Sequence, residues 1–190
     1  MANDTHGHDA GNSIFKIGIN LTIACLLSGA IIAGVYSVTA PVAAQQRENL
    51  KNNAMKELVA DAQSFKAIDG KTDWYAAVKD GKTVAYVVPA ESKGYGGTIK
   101  MLTAVDPDGK IINFKILAHN ETPGLGDRAG DAKFVKQFVG KSPENLEVVK
   151  TPTDKNIQAL TGATITSRAV TKGIREAAEE VAKYAAGQKK

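Results

Sequence analysis

Residues 17–38 form a run of twenty-two without a formal charge. As an α-helix rising about 1.5 Å per residue, such a run reaches across a hydrocarbon layer of about 30 Å. A chain holding it either keeps it in a membrane or loses it as a signal peptide. Small residues at 40–44 offer a cut site, so the signal reading stays open. Against it, the apolar run exceeds the usual signal core, and the residues before it carry Asp4 and Asp9 against the single base Lys16. A retained span is therefore expected. Asn20, Thr22 and Ser28, with Gly18, Gly29, Ala30 and Gly34, make it less apolar than a solitary anchor and suit packing against other membrane helices. Charge does not orient it, because Lys16 on one side faces Arg47, Lys51 and Lys56 on the other.

Past the span, about 150 residues suffice for one core without disulfides. The single cysteine, Cys25, lies inside the span, so no disulfide, zinc cluster or iron–sulfur site is expected from this chain. Past the span, without Lys16, Asp4 and Asp9, 23 of the 24 basic residues stand against 18 of the 20 acidic ones, a mild excess that suits an anionic membrane surface or an acidic neighbour. The chain lacks the arginine-rich run or aromatic-interleaved basic patch of a nucleic-acid binder. His6, His8 and Asp9 stand in a polar, glycine-containing start that reads as a flexible tail rather than a metal site.

After Pro41, Leu50, Ala54, Leu58 and Ala62 recur every four residues and predict a linking helix within 42–65. Then the period changes. Residues 74–78 and 84–88 are β-rich runs around the Asp80-Gly81 pair, and 98–105 with 110–117 repeat the arrangement around Asp106, Pro107, Asp108 and Gly109. Two hairpins in succession predict an antiparallel sheet. Phe134, Val135 and Phe138 mark a short helix over 131–139 that Gly140 stops, and 146–150 is a candidate edge strand. Val170, Ile174, Ala177, Val181 and Tyr184 give a last helix, 166–186, an apolar face. The fold class is α+β: one N-terminal transmembrane helix, then an antiparallel sheet with packing helices.

Three stretches carry chemistry. In TGATITS (161–167), Gly162 supplies a bend, Ala163 leaves room, and the Thr164 hydroxyl stands at a helix start. There the N–H groups of Thr166, Ser167 and Arg168 are expected to face a phosphate. Arg168 and Lys172 either add a cation or form an ordinary solvated face. Alone, the stretch reads equally as an N-cap. In ETPGLG (121–126), Glu121, Thr122 and Pro123 precede Gly124, Leu125 and Gly126, a rigid turn that would let backbone approach a flat ligand with Leu125 able to cover a ring face; a decorated turn after a strand fits the same residues. In KGYGG (93–97), Lys93 suits a phosphate or a ring carbonyl, Tyr95 suits stacking, and Gly94 and Gly96 give space; a flexible connection between hairpins fits the same residues. Gly124, Gly126 and Ala129 also spell GxGxxA, but no βαβ unit surrounds them. His119 reads as a surface or hydrogen-bonded residue. The chain holds no hydrolytic triad, paired-carboxylate site or GK[ST] phosphate loop, so a cofactor is expected to carry any reaction.

KGYGG, ETPGLG and TGATITS together, in this order and spacing, resemble the FMN-binding domain of the C and G subunits of Nqr-type and Rnf-type redox pumps. The length and the single amino-terminal span look most like the Rnf G subunit. The resemblance implies FMN carried as a phosphoester on Thr164 and held by Thr161, Gly162, Ala163, Ile165, Thr166, Glu121, Thr122, Gly124, Leu125, Gly126, Lys93, Gly94, Tyr95 and Gly96. It implies an electron relay inside a membrane complex that couples ferredoxin:NAD electron transfer to Na⁺ or H⁺ translocation. The implied partners are the other membrane and redox subunits and an FAD-dependent flavin transferase, with no nucleic acid. The implied organisation is a cytoplasmic 1–16, a span 17–38, a linking helix 39–65 and an extracytoplasmic FMN-binding domain 66–190. Gln158 stands where the family often has a carboxylate upstream of its attachment motif. The alternatives are the quinone-reductase member of the same family, the C component of the Na⁺-translocating NADH:quinone reductase; a non-redox membrane-tethered scaffold; and a dinucleotide binder on 124–129.

Overall fold

Asp80 and Gly81 take φ of 50° and 75° in the computed structural model, the two positive values that a type I′ turn requires. The structure describes residues 9–188, with side chains from Ile14 onward, so the reading of His6 and His8 lies outside the described residues. The turn closes β2 (Tyr75–Lys79) onto β3 (Lys82–Lys93), with Lys79 opposite Lys82. At the second hairpin, Asp106 Oδ1 accepts the N–H groups of Asp108 and Lys110 at 2.9 and 2.8 Å and turns β4 (Thr98–Val105) into β5 (Ile111–Ala118). With β1 (Ser64–Ala67) on β2, the strands form one antiparallel sheet in chain order. β3 runs five residues past its expected end and includes Pro89. That is tolerated because β2 pairs with β3 only as far as Val87, so at Pro89 a single neighbour, β4, remains.

The chain divides into two compact units between Glu48 and Asn49. In the first, the part of α1 (Asp9–Leu58) up to Glu48 carries exposed apolar side chains, including Ile17, Leu26, Ile31 and Val38, over a stretch with a mean hydropathy of 2.0. Thr22 donates its hydroxyl to the Gly18 carbonyl at 2.8 Å, and Ser37 to that of Gly34, which covers their polarity inside an apolar segment. The helix continues through Pro41 and ends at Leu58. The expected span and separate linking helix are therefore one helix. Pro41 removes a single backbone hydrogen bond, and the helix-favouring residues on both sides, including Ala40, Ala43 and Ala44, outlast it.

In the second unit the sheet is covered on both faces. On one, Ala54, Met55, Leu58 and Val59 pack against Ala77, Ala85, Val87, Leu102 and Ala104. On the other lies α3 (Thr164–Gln188), with Val170, Ile174, Ala177, Ala178 and Val181 buried against Val88, Met101, Val105 and Phe114. Tyr184 sits edge-on to Trp74 and Tyr86 at 5.7 Å from each. The expected helix over 131–139 shortens to α2 (Ala132–Val135) followed by turns. Phe134 and Phe138 are buried as anticipated, and Gly140 stops the segment at φ 75°. The expected edge strand over 146–150 shrinks to β6 (Val148–Val149). It pairs in parallel with β7 (Ile157–Gln158), outside the main sheet, because Ile157 N–H and Ala159 N–H donate to the carbonyls of Glu147 and Val149.

One core position is frustrated. Thr103, fully buried between Val88 and Phe114 in register, has a hydroxyl with no hydrogen-bond partner. An unpaired buried hydroxyl costs about 1 kcal/mol or more. Thr103→Val is expected to stabilise the sheet unit by about 1 kcal/mol, read as a rise of about 3 °C in its thermal midpoint in the detergent-purified chain.

Candidate functional site

β5 ends at Ala118, and three residues later the chain turns Glu121 inward. Its side chain is only 6% exposed. Its carboxylate accepts the Gly96 N–H at 2.9 Å, the Tyr95 N–H at 3.4 Å and the Thr166 hydroxyl at 2.5 Å. One buried group thus ties all three motifs. His119 Nδ1 accepts the Glu121 N–H at 3.2 Å, the hydrogen-bonded role anticipated for that histidine. The glycines follow from this crowding: a Cβ on Gly94 would stand 2.3 Å from Glu121 Oε1, and one on Gly126 would stand 2.8 Å from both Glu121 Oε2 and Thr166 Oγ1. Gly124 and Gly162 answer a different demand, with φ of 75° and 79°.

The tie opens a cleft of about 570 Å³ lined by Tyr95, Glu121, Thr122, Leu125, Gly126, Gly162, Ala163, Thr164, Ile165 and Thr166. These residues from three separate stretches converge on one cleft. The other candidates lie off it. Lys93 is exposed at the end of β3; Gly94 and Gly96 make room for Glu121 and for the Asn120 carbonyl; Gly124 shapes its turn; Thr161 lines a smaller pocket with Arg128, Phe134 and Gln158. Arg168 and Lys172 line a different groove beside Leu146, and Lys172 pairs with Glu176 at 3.8 Å.

Thr164 is the first residue of α3 and does not precede it. The N–H of Ser167 accordingly bonds to the Ala163 carbonyl at 3.0 Å, and that of Arg168 belongs to the helical ladder. This corrects the expectation for Ser167 and Arg168, whose N–H groups are spent in the helix, while that of Thr166 stays free of the ladder as expected. The helix leaves without partners those of Thr164, Ile165 and Thr166. Ser167 supports the turn from below, accepting the Leu160 N–H at 3.0 Å and donating to Ala163 at 2.9 Å. Of the four hydroxyls in the first two turns, those of Thr166, Ser167 and Thr171 are engaged. The Thr164 hydroxyl has no hydrogen bond among the described residues, and its residue is half-buried on the cleft wall.

The walls suit FMN. The volume lies in the range of cofactor sites. Tyr95, Leu125 and Ile165, 71%, 42% and 56% exposed, offer apolar surface for a flat ring to cover. The N-terminus of a helix with no acidic residue in its first turn suits a phosphate. The dinucleotide reading of 124–129 finds no support, since Gly126–Gly130 is a 3-10 turn after an antiparallel strand.

Residues 94–179 match the family described as the FMN-binding domain. Over 178 residues the chain is 58% identical to the G subunit of the proton-translocating ferredoxin:NAD(+) oxidoreductase complex of Clostridium ljungdahlii, covering 93% of this chain and 96% of that one. It is 33% identical over 183 residues to the G subunit of the Na(+)-translocating ferredoxin:NAD(+) oxidoreductase complex of Acetobacterium woodii, covering 85% and 88%. Among solved structures, the C subunit of the Na(+)-translocating NADH-quinone reductase of Parabacteroides distasonis shares the fold, with a TM-score of 0.54 at 19% identity over 70% of this chain and 90% of that one. Fold and cleft together define an FMN-binding-domain protein carrying a membrane helix. The chain belongs to the family of G subunits of ion-translocating ferredoxin:NAD(+) oxidoreductase complexes.

Proposed function

We propose that this chain holds FMN as a phosphoester on Thr164 and relays electrons between carriers of a membrane complex that couples ferredoxin:NAD electron transfer to ion movement. The observation that carries the reading is the Thr164 hydroxyl, without a hydrogen-bond partner among the described residues, on the wall of a cleft at the first residue of α3. Bound FMN supplies one-electron exchange, a chemistry the side chains lack. The chain's own part is mechanical and electrostatic. Thr164 provides the ester oxygen, and the N–H groups of Thr164, Ile165 and Thr166 face the phosphate charge. Tyr95, Leu125 and Ile165 cover apolar ring surface. Gly162, where a Cβ would stand 3.0 Å from Leu125 Cδ2, and Ala163, with its small side chain, leave room on the wall beside Thr164. Lys93 and Thr161, which do not line the cleft, take a secondary part in this reading.

Attachment is the work of a separate FAD-dependent flavin transferase. In that reaction Thr164 would supply the oxygen that bonds to the FMN phosphorus of FAD, and AMP would leave from the broken pyrophosphate with the hydroxyl proton. The soluble unit lies on the periplasmic or extracellular side, where a tethered cofactor is not lost by dissociation. Kinship with G subunits over nearly the whole chain favours this assembly over the quinone-reductase one. The expected result is a tryptic peptide spanning 161–168, from protein taken from its native membrane, heavier by one FMN less water. An unmodified peptide from a colourless protein would instead mark a scaffold module.

A further inference from the structure

Glu121 is the single charged side chain among those lining the cleft. It is buried, and both its oxygens are occupied by donors: Oε1 by the Gly96 N–H, Oε2 by the Thr166 hydroxyl and the Tyr95 N–H. Two of those donors are backbone groups, whereas the third is a side chain that substitution removes without touching the backbone. The geometry points to Glu121 as a positioning residue that, through its fixed charge on the cleft wall, sets the reduction potential of the bound flavin. This inference rests on the function proposed above.

Adding an electron to a ring beside a negative charge is disfavoured, and the disfavour is larger where water is excluded. Glu121 therefore holds the flavin at a lower potential than the cleft would give without it. The Thr166 hydroxyl opposes this by drawing part of the charge into a short hydrogen bond. The two residues thus act on the ring with opposite sign. A purely structural tie predicts no such reversal, because removing either end would loosen the same contact.

The test uses the full chain purified with its flavin from the native membrane and compares Glu121→Gln and Thr166→Val by redox titration and by the mass of the 161–168 peptide. Gln keeps the shape and two of the three contacts: its oxygen can accept from Gly96 and its amide can donate to Thr166 Oγ1, while the long 3.4 Å contact from the Tyr95 N–H loses its acceptor. The expected result is an upward shift of midpoint potential in Glu121→Gln and a downward one in Thr166→Val, with the peptide modified in both. Unchanged potentials, or shifts of the same sign, overturn the inference. If Glu121→Gln loses its flavin, Thr166→Val decides alone: a lower potential supports the inference and an equal or higher one overturns it. Flavin lost from both variants but kept by the wild type also overturns it and leaves a structural tie. A wild-type peptide without flavin refutes the proposed function itself.

Discussion

Thr164→Val is expected to abolish covalent flavin while leaving the protein folded. Valine keeps the β-branched shape at the start of α3 and removes only the oxygen. That oxygen makes no protein hydrogen bond among the described residues, so no buried partner is orphaned by its loss. The nearby hydroxyls cannot substitute. Thr166 is committed to Glu121 and Ser167 to the backbone of Leu160 and Ala163, and both residues are buried. Purified Thr164→Val should be colourless after denaturation and washing, with an unmodified 161–168 peptide. Its thermal midpoint should stay within about 2 °C of that of the flavin-free wild type, as for a substitution worth less than about 0.5 kcal/mol. Thr164→Ser, which keeps an oxygen, should retain flavin. Covalent flavin surviving in Thr164→Val would overturn the assignment.

The parts of the fold legible in the sequence are those governed by local rules. Asp80-Gly81 predicts its hairpin because only positive φ closes a two-residue turn, and the Val170–Ile174–Ala177–Val181 face predicts α3 because burial follows helical period. The failures lie where tertiary context outweighs local preference. Pro41 reads as a boundary, yet the helix passes through it, since one lost hydrogen bond is small against the many that flanking residues retain. The β6–β7 pair is not legible, because two-residue strands joined in parallel carry no periodic signal. At the site, the three motifs announce themselves by composition, but composition does not say which glycines face the ligand. Glu121 reads as a ligand in the sequence; in the structure most of its hydrogen-bonding capacity is spent within the protein, and the glycines at 94, 96 and 126 are there largely to accommodate what surrounds it. The partner contacts are separated by 25, 26 and 45 residues, a range that no local pattern encodes.

Gly96→Ala should do the largest structural damage of any single methyl at the site. A Cβ there would lie 1.9 Å from the Asn120 carbonyl oxygen and 2.6 Å from its carbon. Both atoms are backbone, so no rotamer relieves the overlap. The KGYGG loop has to move away from the strand end that carries Glu121, and the Gly96 N–H then leaves the carboxylate it serves at 2.9 Å. Overpacking of this kind costs about 2–3 kcal/mol, which lowers the thermal midpoint by roughly 8 °C. The buried carboxylate also loses a donor, so the wall carrying Tyr95 separates from the wall carrying Thr166 and flavin content falls with stability. Gly124→Ala is the informative contrast. Its Cβ would meet nothing within 4 Å, and its φ of 75° makes the cost conformational, about 1 kcal/mol. Because Gly124 shapes a turn off the cleft wall, that variant should be mildly destabilised yet still yellow. Equal loss of flavin in the two would mean that the ETPGLG turn, and not the closeness of Gly96 to Asn120, holds the cleft open.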